Sequence, residues 1–162
     1  AQVADHAVRV HDARVVLTGG PTALERVMGQ EIEKSTDARL LNLIGRVTLL
    51  QTHALLERAD VLVSPDSGPV HMATAAGIPV IGLYAATNPE RSGPYLSRSW
   101  CVNRFDEAAQ KFLGRPASEI AWTTKIDKPG VMDLIQPPDV IRKLDEVLRQ
   151  RSKTQVRNLR QT

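Results

Sequence analysis

The chain has 162 residues, enough for a domain with a proper core, and a single cysteine, Cys101, which excludes an internal disulfide and a cysteine zinc cluster. Hydrophobic content of 42 % and charged content of 24 % are ordinary for a globular protein, while 4 % aromatics argues against a stacking platform for single-stranded nucleic acid. The net charge of +3 is concentrated late, Arg142 to Arg160 carrying seven Lys/Arg against two acids, and no apolar run approaches membrane-spanning length.

The first residues already read as helix, with Val3, Ala4, Ala7, Val8 and Val10 as apolar positions up to residue 11. The chain also opens on Ala1 rather than Met, so it is expected to be a piece of a longer protein. A strand follows at 14–18, then Gly19-Gly20-Pro21 and a helix over about 22–34, with Thr22 as N-cap and Glu25 completing a capping box. Residues 40–44 read as a strand closed by Gly45, and Thr48 caps a helix from about 49 to 58.

Residues 60–84 are the most informative stretch. Val61-Leu62-Val63 is a buried-type strand, Asp66-Ser67-Gly68 a tight turn, and Pro69 suits a first helical position. Gly77 stops that helix and Pro79 opens the strand 80–84. A turn that opens a helix aims free N–H groups and the positive end of a dipole at one point, which suits an anion such as a phosphate. His71, one turn in, can face the same point.

The rest is less regular. Residues 85–95 form a turn-rich loop, 100–105 a further strand, and Asp106 caps a helix over 107–113 ended by Gly114. Residues 115–136 are irregular, and Pro137-Pro138-Asp139 launches a last helix to about residue 150. Residues 1–150 are thus expected to form one domain, and 151–162 a basic tail that is frayed or extends the last helix.

Alternating strands and helices predict an α/β fold, a Rossmann-like parallel sheet with helices on both faces. Such sheets bind ligands at the carboxyl ends of their strands, so Thr18-Gly19-Gly20, Asp66-Ser67-Gly68 and Thr87-Asn88 are expected along one edge. From the residues alone each has a plainer reading. Gly19-Gly20 is a tight turn, Asp66 an Asx turn or helix cap, Ser67-Gly68 a turn, and His71 a packed histidine. Trp100 and Trp122 are read as packing residues, Cys101 as a core residue on a strand, and His6, His11 and His53 as surface or helix residues. No carboxylate pair or His/Cys cluster has metal-ligand spacing, so no metal is expected.

The string Asp66-Ser67-Gly68-Pro69-Val70-His71-Met72-Ala73, followed by Ala-Ala-Gly-Ile-Pro-Val-Ile-Gly-Leu-Tyr, Thr87-Asn88-Pro89 and Gly93-Pro94-Tyr95, resembles the lipopolysaccharide heptosyltransferases of glycosyltransferase family 9. Leu17-Thr18-Gly19-Gly20-Pro21, Gly45-Arg46-Val47-Thr48-Leu49 and Leu56-Glu57-Arg58-Ala59-Asp60 fit the same pattern, over about residues 13–105. Ala85-Ala86 departs from it, standing where the family often has Gly-Pro. The resemblance implies the C-terminal, sugar-nucleotide-binding half of a GT-B fold. It implies an inverting transfer of heptose from ADP-heptose to the lipopolysaccharide inner core, without a metal or other cofactor.

On that resemblance, Asp66, Ser67, Gly68 and His71 are donor-binding residues, with Thr18, Gly19 and Thr87 of second rank; residues 42–47 flank the nucleoside. The general base and acceptor site fall to an N-terminal domain outside this sequence, so this stretch alone is expected not to turn over. The implied partners are the sugar nucleotide, that domain and a lipid-linked acceptor, with no nucleic acid. The implied location is the cytoplasm, with peripheral contact at the inner face of the bacterial inner membrane. The basic tail suits either that membrane contact or a solvated helix end. Two other readings stand beside this one: a non-catalytic nucleotide-binding sensor or assembly module, and a dehydrogenase, which lacks its Gly-x-Gly-x-x-Gly spacing here.

Overall fold

A computed structural model of the chain describes residues 1–159. They divide into two compact units, residues 1–54 and residues 55 onward.

In the first unit, α1 (Gln2–His11) buries Ala4 and Ala7 and ends at Asp12 in the left-handed region, φ 50°. Asp5 on α1 accepts from the N–H groups of Asp37 and Ala38, both at 3.2 Å, and from the Thr36 hydroxyl, which holds its carboxyl below the usual carboxylate range. β1 (Val15–Leu17) and β2 (Leu40–Asn42) pair in parallel, Val16 opposite Leu41, and α2 (Ala23–Lys34) is the crossover between them. On α2, Leu24, Val27 and Met28 share one face and stand exposed. After β2, Thr48 and Gln51 form a reciprocal cap, Gln51 N–H to Thr48 Oγ1 at 3.3 Å and Thr48 N–H to Gln51 Oε1 at 2.8 Å, which starts α3 (Leu49–Glu57).

The second unit is built on a three-stranded parallel sheet, β3 (Leu62–Pro65), β4 (Val80–Tyr84) and β5 (Val102–Asn103), in that order with β4 central. The hydrogen-bonded strands therefore form two sheets, β1-β2 and β3-β4-β5, where the sequence suggested one. Four of the five β4 residues are fully buried, as expected of a parallel strand covered on both faces. Val80 packs with Val70 and Ala73 of α4 (Gly68–Ala75), and with Leu56 and Ile78. A second cluster joins Ala85, just past β4, to Phe105, Ala108 and Ala109 of α6 (Phe105–Leu113), and to Ile126 and Val131. Gly82 leaves room on the same face for the Tyr84 ring: a Cβ there would stand 2.4 Å from the ring and 3.0 Å from the Cys101 sulfur. Gly82→Ala is accordingly expected to destabilise the chain by about 1–3 kcal/mol in thermal melting, the range for overpacking.

Several boundaries differ from the sequence reading. The 85–95 loop contains a short helix, α5 (Pro89–Ser92), capped by Asn88, whose Oδ1 accepts from Glu90 N–H at 2.9 Å. The strand expected over 100–105 shrinks to Val102–Asn103, because residues 98–100 coil into a 3-10 turn and Asn103 Oδ1 accepts from Phe105 N–H at 2.9 Å, starting α6 early. Asp106 therefore lies inside the first turn of α6 and is not its cap. Cys101 precedes β5, half-buried, and burial pushes its thiol up. The last helix, α7 (Pro137–Leu159), passes the expected end at 150, since no Gly or Pro interrupts residues 139–159. It thus takes up much of the expected tail, whose residues 160–162 lie outside the described residues.

α7 is anchored to the sheet by charge as well as by Val140, Leu144 and Val147. Arg104, whose N–H donates to the Tyr84 carbonyl, reaches Asp139 at 2.6 Å, and Arg142 reaches the other Asp139 oxygen at 2.8 Å. The Arg104 hydrogen bond, and then the one from Arg142, hold the Asp139 carboxyl below its ordinary value. A lowered folded-state pKa contributes stability that is complete above the unfolded value and lost as pH falls through the folded one. Wild type is therefore expected to lose more stability than Asp139→Asn between pH 5 and acid, and the two melting curves to converge at the acid end. At neutral pH the substitution is expected to cost about 1 kcal/mol, since solvent reaches both guanidinium groups.

Candidate functional site

Two glycine turns follow parallel strands and open helices, and their chemistry differs. The turn after β1 is already filled by an anion of the protein itself. Glu25 accepts from Gly20 N–H at 2.8 Å and from the Thr22 hydroxyl at 2.5 Å, while Thr22 Oγ1 accepts from Glu25 N–H at 3.2 Å. The hydroxyl bond, then the Gly20 N–H bond, lower the Glu25 pKa, so the carboxylate occupies the helix start as a charged group. Gly19 offers its carbonyl to Gly45 N–H at 3.0 Å, fixing this turn to the one after β2. The Thr18 hydroxyl, partly exposed, makes no hydrogen bond among the described residues.

The turn after β3 is not filled. α4 starts at Gly68 with Pro69 in its second position, one residue earlier than the sequence suggested, and no side chain caps it. Ser67 is extended, φ −158° and ψ 165°, and the N–H groups of Ser67 and Gly68 make no hydrogen bond among the described residues. Pro69 has no N–H to satisfy, which suits an uncapped start. At Gly68 a Cβ would meet no atom within 4 Å, and the backbone is not in the left-handed region. Neither packing nor conformation requires glycine there. What glycine does provide is unobstructed approach to the N–H groups at the start of α4.

The side chains around this turn are organised. The Ser64 hydroxyl donates to the Pro65 carbonyl at 3.0 Å, so in the Ser64–Ser67 contact at 2.9 Å the proton is supplied by Ser67. Asp66 does not face the turn alone: it accepts from the Ser92 hydroxyl at 2.6 Å and so ties the end of β3 to α5. The Ser92 carbonyl accepts from the Tyr84 hydroxyl at 3.3 Å, and burial first, then the Asp66 charge, push the Tyr84 pKa up. His71 is exposed on α4. Thr87, after β4, is 7 % exposed, and its hydroxyl makes no hydrogen bond among the described residues. Because β3 and β4 are adjacent and parallel, residues 66–68 and Thr87 leave the same edge of the sheet.

Gly93 closes this group for a steric reason. Its N–H donates to the Pro89 carbonyl at 2.8 Å, and a Cβ on it would stand 2.4 Å from that oxygen. Three participants were not visible in the sequence: Ser92 as the partner of Asp66, Glu25 as the occupant of the first turn, and Trp122, which is 59 % exposed and not a packing residue. The capping-box spacing signalled Glu25, though not its bond to Gly20, and Trp122 was signalled by its setting among polar residues in an irregular segment.

Comparison with known proteins gives consistent results. The chain is 39 % identical over 131 residues to the lipopolysaccharide core heptosyltransferase OpsX of Haemophilus influenzae, covering 81 % of this chain and 38 % of that protein. It is 27 % identical to the lipopolysaccharide heptosyltransferase 3 of Escherichia coli, covering 88 % of this chain and 39 % of that one. Among solved structures, a family 9 glycosyl transferase from Veillonella parvula superposes with a TM-score of 0.68 at 26 % identity, over 91 % of this chain and 40 % of the other. The E. coli ADP-heptose lps heptosyltransferase II superposes with a TM-score of 0.65 at 25 % identity, over 93 % and 41 %. The chain thus spans about two fifths of the length of these relatives. The model of glycosyltransferase family 9 (heptosyltransferase) matches residues 1–123, and the chain belongs to that family.

Proposed function

We propose that this chain is the donor-binding part of an inverting GT-B glycosyltransferase that moves heptose from ADP-heptose onto the lipopolysaccharide inner core. The observation that carries the reading is the uncapped start of α4, with the Ser67 and Gly68 N–H groups open and no Cβ in front of them. An acceptor hydroxyl attacks the anomeric carbon, the bond to the β-phosphate oxygen breaks, and negative charge grows on the departing ADP. N–H groups and the helix dipole already aimed at that charge lower the barrier, because no reorganisation is needed when it forms. His71 donates a further hydrogen bond to a phosphate or sugar hydroxyl, and Ser67 does so after rotation. Asp66 positions the turn through Ser92 rather than touching phosphate. Thr87 serves a sugar hydroxyl.

With these groups compensating the charge, no metal is required. The proton of the acceptor hydroxyl goes to a base in an N-terminal domain of the full-length protein, which also holds the lipid-linked acceptor. The enzyme works in the cytoplasm at the inner membrane face, the basic stretch from residue 151 on favouring an anionic surface. No helix of the described residues is long and apolar enough to cross a membrane. The test is calorimetric titration of the chain with ADP, UDP, GDP and ADP-heptose. Selective binding of the adenine nucleotides, lost in Ser67→Glu, supports the reading. A folded chain that binds none of the four refutes it.

A further inference from the structure

The second unit holds a cavity of about 330 Å³ that the donor site as described does not use. It lies between Asn88 at the start of α5, Phe105 and Asp106 at the start of α6, and Ile120 and Trp122 of the irregular segment. The segment is held in place: the Ile126 side chain is 1 % exposed, and its N–H donates to the Ala86 carbonyl at 2.8 Å. Trp122 is nevertheless exposed, although it lies close to that anchor.

The polar groups around the cavity are unspent. Asn88 uses its carbonyl oxygen to cap α5, which leaves its NH2 group as a donor. The Asp106 carboxylate is exposed and makes no hydrogen bond or ion pair among the described residues. An indole face, a carboxylate acceptor and an amide donor around a space of this size match a ring that has an apolar face and a rim of hydroxyls. That ring is a pyranose. Its C–H face lies on the indole, its hydroxyls donate to Asp106 and accept from Asn88, and Phe105 and Ile120 supply the apolar wall. A phosphate is disfavoured by Asp106. An adenine offers a donor and acceptors to the same two groups, so ADP alone is the control that separates a base from a sugar ring.

We infer that the Asn88–Asp106–Trp122 cavity is a pyranose-binding subsite, separate from the diphosphate site at Gly68. The inference rests on the proposed transferase reading for its purpose, and it deepens that reading by naming where a sugar ring sits. The two places are mechanically joined, since Asp66 of the β3–α4 turn holds Ser92 of α5 and Asn88 caps the same helix. The ring belongs either to the heptosyl group of the donor or to a sugar of the acceptor.

The chain has two tryptophans, Trp100 and Trp122, so two indole N–H signals report in heteronuclear NMR and Trp100 serves as an internal control. Free manno-heptopyranose is expected to move the Trp122 signal at millimolar concentration, and ADP alone is expected to leave it in place. Asp106→Asn, at an exposed position, is expected to keep the melting temperature and weaken this response about tenfold, the loss typical of a hydrogen bond to a charged group. Movement of Trp122 by ADP-heptose, with no further response to added heptopyranose, assigns the ring to the donor. A further response at saturating ADP-heptose assigns it to the acceptor. A Trp122 signal that answers to ADP alone, or that ignores both heptopyranose and ADP-heptose, overturns the inference. The backbone amide of Gly68, followed in the same titrations, tests the diphosphate site independently, so failure of one proposal is distinguished from failure of the other.

Discussion

Gly68→Val is expected to abolish nucleoside diphosphate binding while leaving the fold intact, and Gly68→Ala to weaken it by about tenfold or more, the effect of losing one charge-assisted hydrogen bond. The dissociation between binding and stability is the informative part. A Cβ at Gly68 meets nothing within 4 Å, so neither side chain strains the protein. Alanine at the first helical position is expected to raise stability by about 0.4–1 kcal/mol, because the unfolded chain loses freedom that glycine would have kept. Any loss of affinity therefore reports what approaches the backbone from outside. Gly93→Ala is the contrasting case, since its Cβ would collide with the Pro89 carbonyl and the damage would appear first in melting. Calorimetry and thermal melting on both variants separate a glycine kept for a ligand from a glycine kept for packing.

The largest expected loss of stability lies at the anchor of the irregular segment. Ile126→Ala is expected to cost about 2–5 kcal/mol in denaturant unfolding, as for other large-to-small substitutions in a packed core. Ile126 packs with Ala85, Phe105, Ala108, Ala109 and Val131, and its N–H holds the Ala86 carbonyl just past β4. Among the described residues no other backbone hydrogen bond of residues 115–131 reaches β4 or the residues just past it, so Ile126 carries much of the closure of the segment on the sheet. Ile126→Val should recover most of the loss, at about 0.5–1.5 kcal/mol. If alanine costs no more than valine, the segment is held by something other than this contact.

The elements that were legible in the sequence share a local cause. β4 was readable to the residue because Pro79 and the apolar run 80–84 mark its limits, and Thr22 and Thr48 were readable as caps because a capping box is written within four residues. The turn at 66–68 was readable for the same reason. What escaped depends on partners distant in the chain. Asp66 reads as a turn, cap or donor-binding residue in the sequence, yet its hydrogen bond comes from Ser92, distant in the chain. Gly19-Gly20 resembles Ser67-Gly68 as a string, and only the Glu25 carboxylate on Gly20 N–H shows that the first turn has its own anion. The strand expected at 100–105 failed because Asn103 competes locally for the Phe105 N–H and begins a helix inside an apolar run. Trp122 reads as a packing residue from its type, whereas in the irregular segment it is exposed.

In the proposed function the diphosphate of a sugar nucleotide docks on the N–H groups at the start of α4. The most direct test is the backbone amide response of the chain to ADP-heptose in heteronuclear NMR. Ser67 and Gly68 are expected to shift most, and Gly20, whose N–H is held by Glu25, to stay where it is. Saturable binding of ADP-heptose that moves Gly20 and leaves Ser67 and Gly68 unmoved would contradict it.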